Sequence, residues 1–286
     1  MSVRRYLQLD VFAARPGTGN PLGVIVDSEG LDDAALQAIA AWLNLSETIF
    51  FLPPDEGASY HIRIFTPKGE LPFAGHPSVG AAWAAVELGL ATPDDNGQLI
   101  QQCKAGLLPV RVQGGRWFRQ IHVRSPQAER RDTTLDALPE GLAALAKPGH
   151  SPELWNNGPD WWLLEAGSEA ALRRYKPEFA AIGTMPGRGK LAVYAPADRP
   201  DVGYQYVVRA FAPGVGVNED PVTGSANALV AAQLLAQGRI KPFQQYLASQ
   251  GRELGRNGEV RVEVDADSNI WIGGEVQQVI AGQIEW

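Results

Sequence analysis

The sequence predicts an α+β protein of two pseudo-symmetric halves, each a mostly antiparallel sheet wrapped around a central apolar helix. One passage occurs twice: residues 65–89 read FTPKGELPFAGHPSVGAAWAAVELG and residues 211–238 read FAPGVGVNEDPVTGSANALVAAQLLAQG. In each copy a Phe-x-Pro strand end (Phe65 to Pro67, Phe211 to Pro213) leads through a Gly-containing loop to a small-residue turn, Gly75-His76 or Gly224-Ser225, and then to an Ala-rich helix. Gly89 follows Gly75, and Gly238 follows Gly224, at the same spacing of 14. The helical segments are nearly free of charge, with Glu87 alone in 76–88 and none in 225–237. A helix that is apolar on all sides belongs at the centre of its own domain. The 31 glycines and 21 prolines of the 286-residue chain favour many short strands and turns over a helical bundle.

The elements follow in order. Residues 5–12 (RYLQLDVF) alternate as a half-buried strand, and 22–27 (LGVIVD) read as a buried one. Residues 31–44 carry Leu36, Ile39, Ala40 and Leu43 at helical spacing behind Asp32 and Asp33. Strands over 49–52 and 60–65 precede the first central helix, 76–88, and a hairpin of 107–113 with 116–124 turns at Gly114-Gly115. The boundary falls near Ser125-Pro126, where a polar, prolyl stretch begins, so the first half is 1–126 and the second 127–286. The second half repeats the plan: a strand around Trp161 to Leu164, a helical stretch 168–175, strands 190–194 and 204–211, the central helix 225–237, and strands 259–264 and 270–280. Asn257-Gly258 and Asp267 to Asn269 mark turns. The final strand, 279–285, either stays in the second half or crosses back to the first.

Composition excludes several function classes. With 45% hydrophobic and 20% charged residues the chain reads as globular rather than disordered. A net charge of −7 and no Lys/Arg run longer than two argue against nucleic acid as a partner. Gln8 and Asp10 interrupt the N-terminal segment too early for a signal-peptide core, and no apolar run approaches a bilayer span. The expectation is a cytoplasmic protein with no membrane partner. Cys103 is the only cysteine, which rules out an intramolecular disulfide.

Familiar motifs fail on inspection. Gly17 to Gly23 follows a strand, but the dinucleotide fingerprint spacing is absent and the next segment is a strand. No phosphate-binding Gly-Lys-Ser/Thr loop occurs, and His61, His76, His122 and His150 lack ligand spacing for zinc. His76 stands where a nucleophile elbow would need its first glycine, so Ser78 reads as a helix-turn residue. Three polar clusters remain in apolar surroundings. Ser46-Glu47-Thr48 precedes Ile49-Phe50-Phe51-Leu52, a setting that desolvates a carboxylate and suits it to proton transfer; an exposed strand start is the structural alternative. Gly75-His76-Pro77 places an imidazole at the start of a buried helix, where a structural His is the alternative, and Glu219-Asp220-Pro221-Val222-Thr223-Gly224-Ser225 places carboxylates and hydroxyls before the other, where helix capping is the alternative. Asn20, in Gly19-Asn20-Pro21, is a turn former or a polar arm of the site. The N-termini of buried helices attract anions, so these clusters point to a carboxylate or phosphate site between the halves.

The set Gly19-Asn20-Pro21, Ser46-Glu47-Thr48, Phe73-Ala74-Gly75-His76-Pro77 and Glu219 to Ala226 resembles, in order and spacing, the PhzF-like family named for phenazine biosynthesis. The resemblance covers nearly the whole chain. It implies the diaminopimelate-epimerase-like fold, with the active site in the cleft between two halves, and a homodimer. It implies Glu47 as the proton-transferring acid/base with His76 and Asp220 assisting, and Asn20, Gly75, Gly224 and Ser225 binding or shaping the substrate pocket. In the family's namesake the substrate is a hydroxylated dihydroanthranilate.

Racemases and epimerases of the same fold use two opposed cysteines, which a chain with one thiol, in the strand-like QLIQQCKAG and away from both helix N-termini, cannot supply. The expected chemistry is therefore a cofactor-independent isomerisation of a small carboxylate-bearing substrate, in which Glu47 takes a proton from carbon and returns one elsewhere on the same face. An epimerase or lyase pairing Glu47 with Asp220 is one alternative; a non-catalytic small-acid binder is another. Since no motif for a metal, nicotinamide, flavin or pyridoxal group survives inspection, purified protein is expected to be colourless and its activity indifferent to chelators. Activity recovered only after adding a metal to chelated enzyme would overturn that expectation.

Overall fold

The structure, a computed structural model, describes residues 2–115, 118–135 and 137–286. It divides into two compact units, Met1–Arg124 with Gly273–Trp286, and Ser125–Ile272. The span 127–286 expected for the second half therefore loses its end to the first unit. The reason is pairing: strand Val276–Glu285 runs antiparallel along strand Val3–Val11, from Val3 opposite Glu285 to Val11 opposite Val276. The single strand expected over 270–280 is two, Ile270–Gly274 and Val276–Glu285, separated at Glu275, whose carbonyl accepts the Ala13 N–H at 3.1 Å.

In the first unit, Val3–Val11 also pairs antiparallel with Asn20–Ile25, which lies parallel to Glu47–Leu52. A parallel connection needs a crossover, supplied by helix Asp33–Leu43. Asp32 caps it by accepting the Ala35 N–H at 2.8 Å, and Asn44 ends it in the left-handed region at φ 52°. Its apolar face, Leu36, Ile39 and Ala40, packs with Ile25, Phe50 and Phe65. Glu47–Leu52 pairs antiparallel with Tyr60–Thr66, which lies parallel to Gln98–Cys103. The first central helix, Gly75–Glu87, is the crossover between those two strands. Gln98–Cys103 then turns tightly into Gly106–Gln113, followed antiparallel by Gln120–Arg124. Arg116 and Trp117, within the strand expected over 116–124, lie outside the described residues.

The second unit repeats this order. Asp160–Glu165 lies parallel to Leu191–Pro196, which pairs antiparallel with Tyr206–Ala212. Tyr206–Ala212 lies parallel to Gln245–Gln250, and the second central helix, Gly224–Ala236, is the crossover between them. Gln245–Gln250 pairs antiparallel with Gly258–Val264. The sequence reading missed four of its strands, Glu129–Arg130, Glu153–Asn156, Val217–Asp220 and Gln245–Gln250, the first of them only two residues long. Glu153–Asn156 and Gln245–Gln250 are short and mix polar with apolar residues, and Val217–Asp220 is too polar for an alternation signal.

The repeat extends to register. Both central helices are 13 residues long. Leu22, third in its strand, faces Glu47, the first residue of the next; Trp162, third in its strand, faces Leu191, the first of the next. The core of the second unit gathers Trp162, Leu164, Leu191, Val193, Val207 and Phe211 on one side of its sheet.

Each central helix is buried from its first turn, Gly75 to Ala82 in one and Ala226 to Leu234 in the other. Such burial of a helix among strands requires small residues at the contact. A Cβ on Gly80 would collide with Leu22 and sit 3.1 Å from Val11 Cγ2. Gly258, in the second unit, lies against Val222 just before its central helix; a Cβ there would overlap Val222 Cγ2 and lie 3.0 Å from Cγ1 and 3.2 Å from Cβ. Val222 is fully buried and stiff at χ1, so it cannot turn away. Gly258→Ala is therefore expected to destabilise the protein by about 1–3 kcal/mol, read as a lower urea midpoint at unchanged slope; an unaltered midpoint would show that the contact is not tight.

Candidate functional site

Asn20, Glu47, Gly75 and His76 lie in the first unit, and Asp220, Gly224 and Ser225 in the second. Glu47 opens its strand and His76 is the second residue of the first central helix. The fold brings these two together: His76 Nδ1 stands 3.5 Å from Glu47 Oε2, with side-chain exposures of 5% and 17%. Glu47 is thus set among buried neighbours rather than on an exposed strand start, with Thr48 at 1% and Ile49 at 0% exposure after it. A protonated imidazole at this distance forms an ion pair with the carboxylate.

Asn20 is fully buried at the start of its strand, where Oδ1 accepts a hydrogen bond from Ser46 Oγ at 3.1 Å. The residue reaches the segment that carries Glu47 and is more than a turn former. The turn before it is held by Asp10, which accepts the Gly19 N–H at 3.0 Å. Gly75 is the first residue of its helix, and the N-cap before it, Ala74, offers no side chain to cap with. Thr223, the N-cap of the second central helix, likewise makes no side-chain cap bond. Both buried helices therefore begin without the usual side-chain acceptor, the condition under which first-turn N–H groups serve a ligand anion.

In the second unit the two adjacent carboxylates separate in role. Glu219 forms a bidentate pair with Arg209, at 2.8 and 2.9 Å, and Arg209 also donates to the carbonyls of Leu172 and Tyr175. With both partners almost wholly buried, this pair belongs to the fold. Asp220 is half-buried and accepts the Thr223 hydroxyl at 2.6 Å. Ser225 accepts Trp161 Nε1–H at 3.1 Å, which leaves its own hydroxyl proton to be donated elsewhere, and its carbonyl accepts Asn157 Nδ2 at 3.1 Å.

Two expectations about other residues meet the structure here. Ser78 behaves as a helix-turn residue: its hydroxyl donates to the Ala74 carbonyl at 2.9 Å and accepts from Gln101 at 2.9 Å. Cys103 was expected away from both helix N-termini. Its strand end instead approaches the loop before the first central helix, where Ala105 N–H bonds the Pro72 carbonyl at 3.0 Å. The thiol is buried, and burial pushes its pKa up, away from the thiolate needed for proton abstraction.

Sequence reasoning missed Trp161, Asn157 and Gln250, which hold the second cluster from other strands and loops. The only sequence signal at Gln250 is the polar pair Ser249-Gln250 that follows the apolar middle of its strand, Tyr246-Leu247-Ala248. Among the described residues no three side chains of His, Cys, Asp or Glu gather to hold a metal ion, and no helix is long and apolar enough to cross a membrane. A cavity of about 320 Å³ in the second unit, lined by His150, Glu153, Glu165, Tyr194 and Gln233 among others, contains none of the candidate residues. Of the lining residues, Glu165 belongs to an ion cluster: burial alone would raise its pKa, but Arg239 and Lys147 outweigh it and hold the carboxyl below its usual range.

The family model described as phenazine biosynthesis-like protein, PhzC-PhzF, matches residues 9–282. The chain is 31% identical to antisense-enhancing sequence 1 of Schizosaccharomyces pombe, over 99% of both chains. It is 35% identical to the trans-2,3-dihydro-3-hydroxyanthranilate isomerase of Pseudomonas aeruginosa, over 89% of this chain and 88% of that one. Among solved structures, a PhzF-family protein of Bacillus anthracis superposes with a TM-score of 0.85 at 23% identity over 100% of both chains. A predicted epimerase of Pseudomonas aeruginosa superposes with a TM-score of 0.76 at 32% identity, over 98% of this chain and 99% of that one. A hydroxyproline epimerase of Agrobacterium vitis, at 15% identity and a TM-score of 0.68, shares the fold. With a model matched over almost its whole length and relatives above 30% identity end to end, this chain belongs to the phenazine biosynthesis-like PhzC-PhzF family.

Proposed function

We propose that the protein is a cofactor-independent isomerase that shifts a double bond in a small cyclic carboxylate by moving a proton between carbons, with Glu47 as the acid/base. The observation that carries this reading is the Glu47 carboxylate held 3.5 Å from His76 at the start of a buried helix. Glu47 takes the proton from one carbon as the π electrons move, and returns it to another carbon on the same face. His76 orients the carboxylate and accepts or donates a hydrogen bond as its charge changes. Gly75, Gly224, Ser225 and Asn20 receive the substrate carboxylate and its polar substituents through N–H and side-chain donors, and Asp220 assists from the second helix. The relative named trans-2,3-dihydro-3-hydroxyanthranilate isomerase supports that compound as the first substrate to test. Epimerisation is the second reading, favoured by the 32% identity to a predicted epimerase.

Glu47→Gln keeps size and hydrogen bonding and removes the titrating group. With trans-2,3-dihydro-3-hydroxyanthranilate, binding is expected to survive while turnover falls by roughly 10²- to 10⁴-fold. The wild type in heavy water should place deuterium on a product carbon unless the proton is shielded from solvent throughout. Epimerisation would instead appear as inversion at one carbon. Full turnover in Glu47→Gln would remove the central residue of the proposal.

A further inference from the structure

Gln250 is 1% exposed, at the end of strand Gln245–Gln250, and its amide is fully used. Nε2 donates to the Asp220 carbonyl at 3.0 Å and to Thr223 Oγ1 at 2.9 Å. Oε1 accepts the Thr223 N–H at 3.1 Å and Asn227 Nδ2 at 2.9 Å. A carboxamide has two donors and two acceptor lone pairs, so this set fixes its orientation, and a flip would break all four bonds. The consequence reaches Asp220. Because Gln250 donates into Thr223 Oγ1, the hydroxyl has its single proton free for one direction, and it points at Asp220 Oδ2 at 2.6 Å, the short distance of a charge-assisted bond. Asn227, also fully buried, braces the amide from the second turn of the helix and bonds the Thr223 carbonyl at 2.9 Å.

The first unit shows that the crossover does not need such a network. Tyr60 faces Gln101 and Tyr206 faces Ala248 in the equivalent parallel pairs, so the position matching Gln250 is Cys103. The N-cap matching Thr223 is Ala74. Neither can make these bonds, yet strand, helix and strand are built there in the same way.

We propose that Gln250 is a positioning residue which, through the Thr223 hydroxyl, fixes the Asp220 carboxylate for its part in proton transfer. This rests on the function proposed above for Asp220. Gln250→Glu is isosteric and keeps the acceptor, but it replaces the donor to Thr223 by an oxygen that competes for the Thr223 proton. Thr223→Val is isosteric and removes the hydroxyl; Thr223→Ser keeps it. With trans-2,3-dihydro-3-hydroxyanthranilate, Gln250→Glu and Thr223→Val are expected to lower kcat about tenfold or more with KM within about threefold, and Thr223→Ser to stay within about threefold of wild type. The double variant should be no worse than its more damaging single, since both residues act along one chain. Crystal structures should show the Asp220 carboxylate displaced by about 1 Å or more in Gln250→Glu and Thr223→Val and in place in Thr223→Ser, a displacement large enough to impair catalysis. If Gln250→Glu does not fold, as judged by its thermal transition, Thr223→Val carries the test. Wild-type kcat in the folded variants, additive losses, or an unmoved Asp220 would each overturn the proposal. If the wild type does not convert the compound, the isomerase reading fails for that substrate, and the crystal structures decide the positioning role on their own.

Discussion

Everything in this fold depends on burying a helix that carries almost no charge. Each unit threads such a helix as the crossover between two parallel strands, Tyr60–Thr66 with Gln98–Cys103 in one and Tyr206–Ala212 with Gln245–Gln250 in the other. Sheet residues cover the helix on its sides, so alanine and glycine dominate where strands press close, as at Gly80 against Leu22 and Val11. The backbone hydrogen bonds of the helix satisfy its interior polar groups but leave the first-turn N–H groups over. The beginning of each helix is therefore where polar chemistry can be placed without disturbing the core, and His76, Ser225, Asp220 and, through His76, Glu47 are placed there.

The two units share a plan and differ in what they attach to it. The strand start that carries Glu47 in the first unit carries the buried Leu191 in the second. The helix position that carries His76 in the first carries Ser225 in the second. Register explains how the exchange is tolerated: the first residue of the strand lies at the edge of the sheet's buried run, where a polar side chain can reach the helix start without entering the core.

Neighbouring acidic residues show how burial sorts roles. Glu219 and Asp220 are adjacent in sequence, but strand alternation sends them to opposite faces. Glu219 meets the guanidinium of Arg209 and is neutralised inside the second unit, while Asp220 stays half-buried beside Thr223. An unpaired Arg209 at 3% exposure would be costly, so Glu219 serves the fold and leaves Asp220 to serve the helix start.

The sequence alone reveals the repeated strand-loop-helix passage, the nearly charge-free central helices to within one residue of their ends, the helix behind Asp32 and Asp33, and the polar residues at Asn20, Glu47, Gly75-His76 and Asp220 to Ser225. These are legible because periodicity, charge exclusion and turn chemistry act over a few residues. It did not determine that Val276–Glu285 closes on Val3–Val11, since an alternating strand records which face is buried but not which strand lies beside it. Nor did it determine that Glu47 would meet His76, that Glu219 would be taken by Arg209, or that Gln250 would hold Thr223 and Asp220 from a strand 30 residues on. Those partners come from distant parts of the chain, and only the crossover geometry of parallel strands, which brings the end of one strand beside the helix that precedes it, decides which side chains share a hydrogen bond.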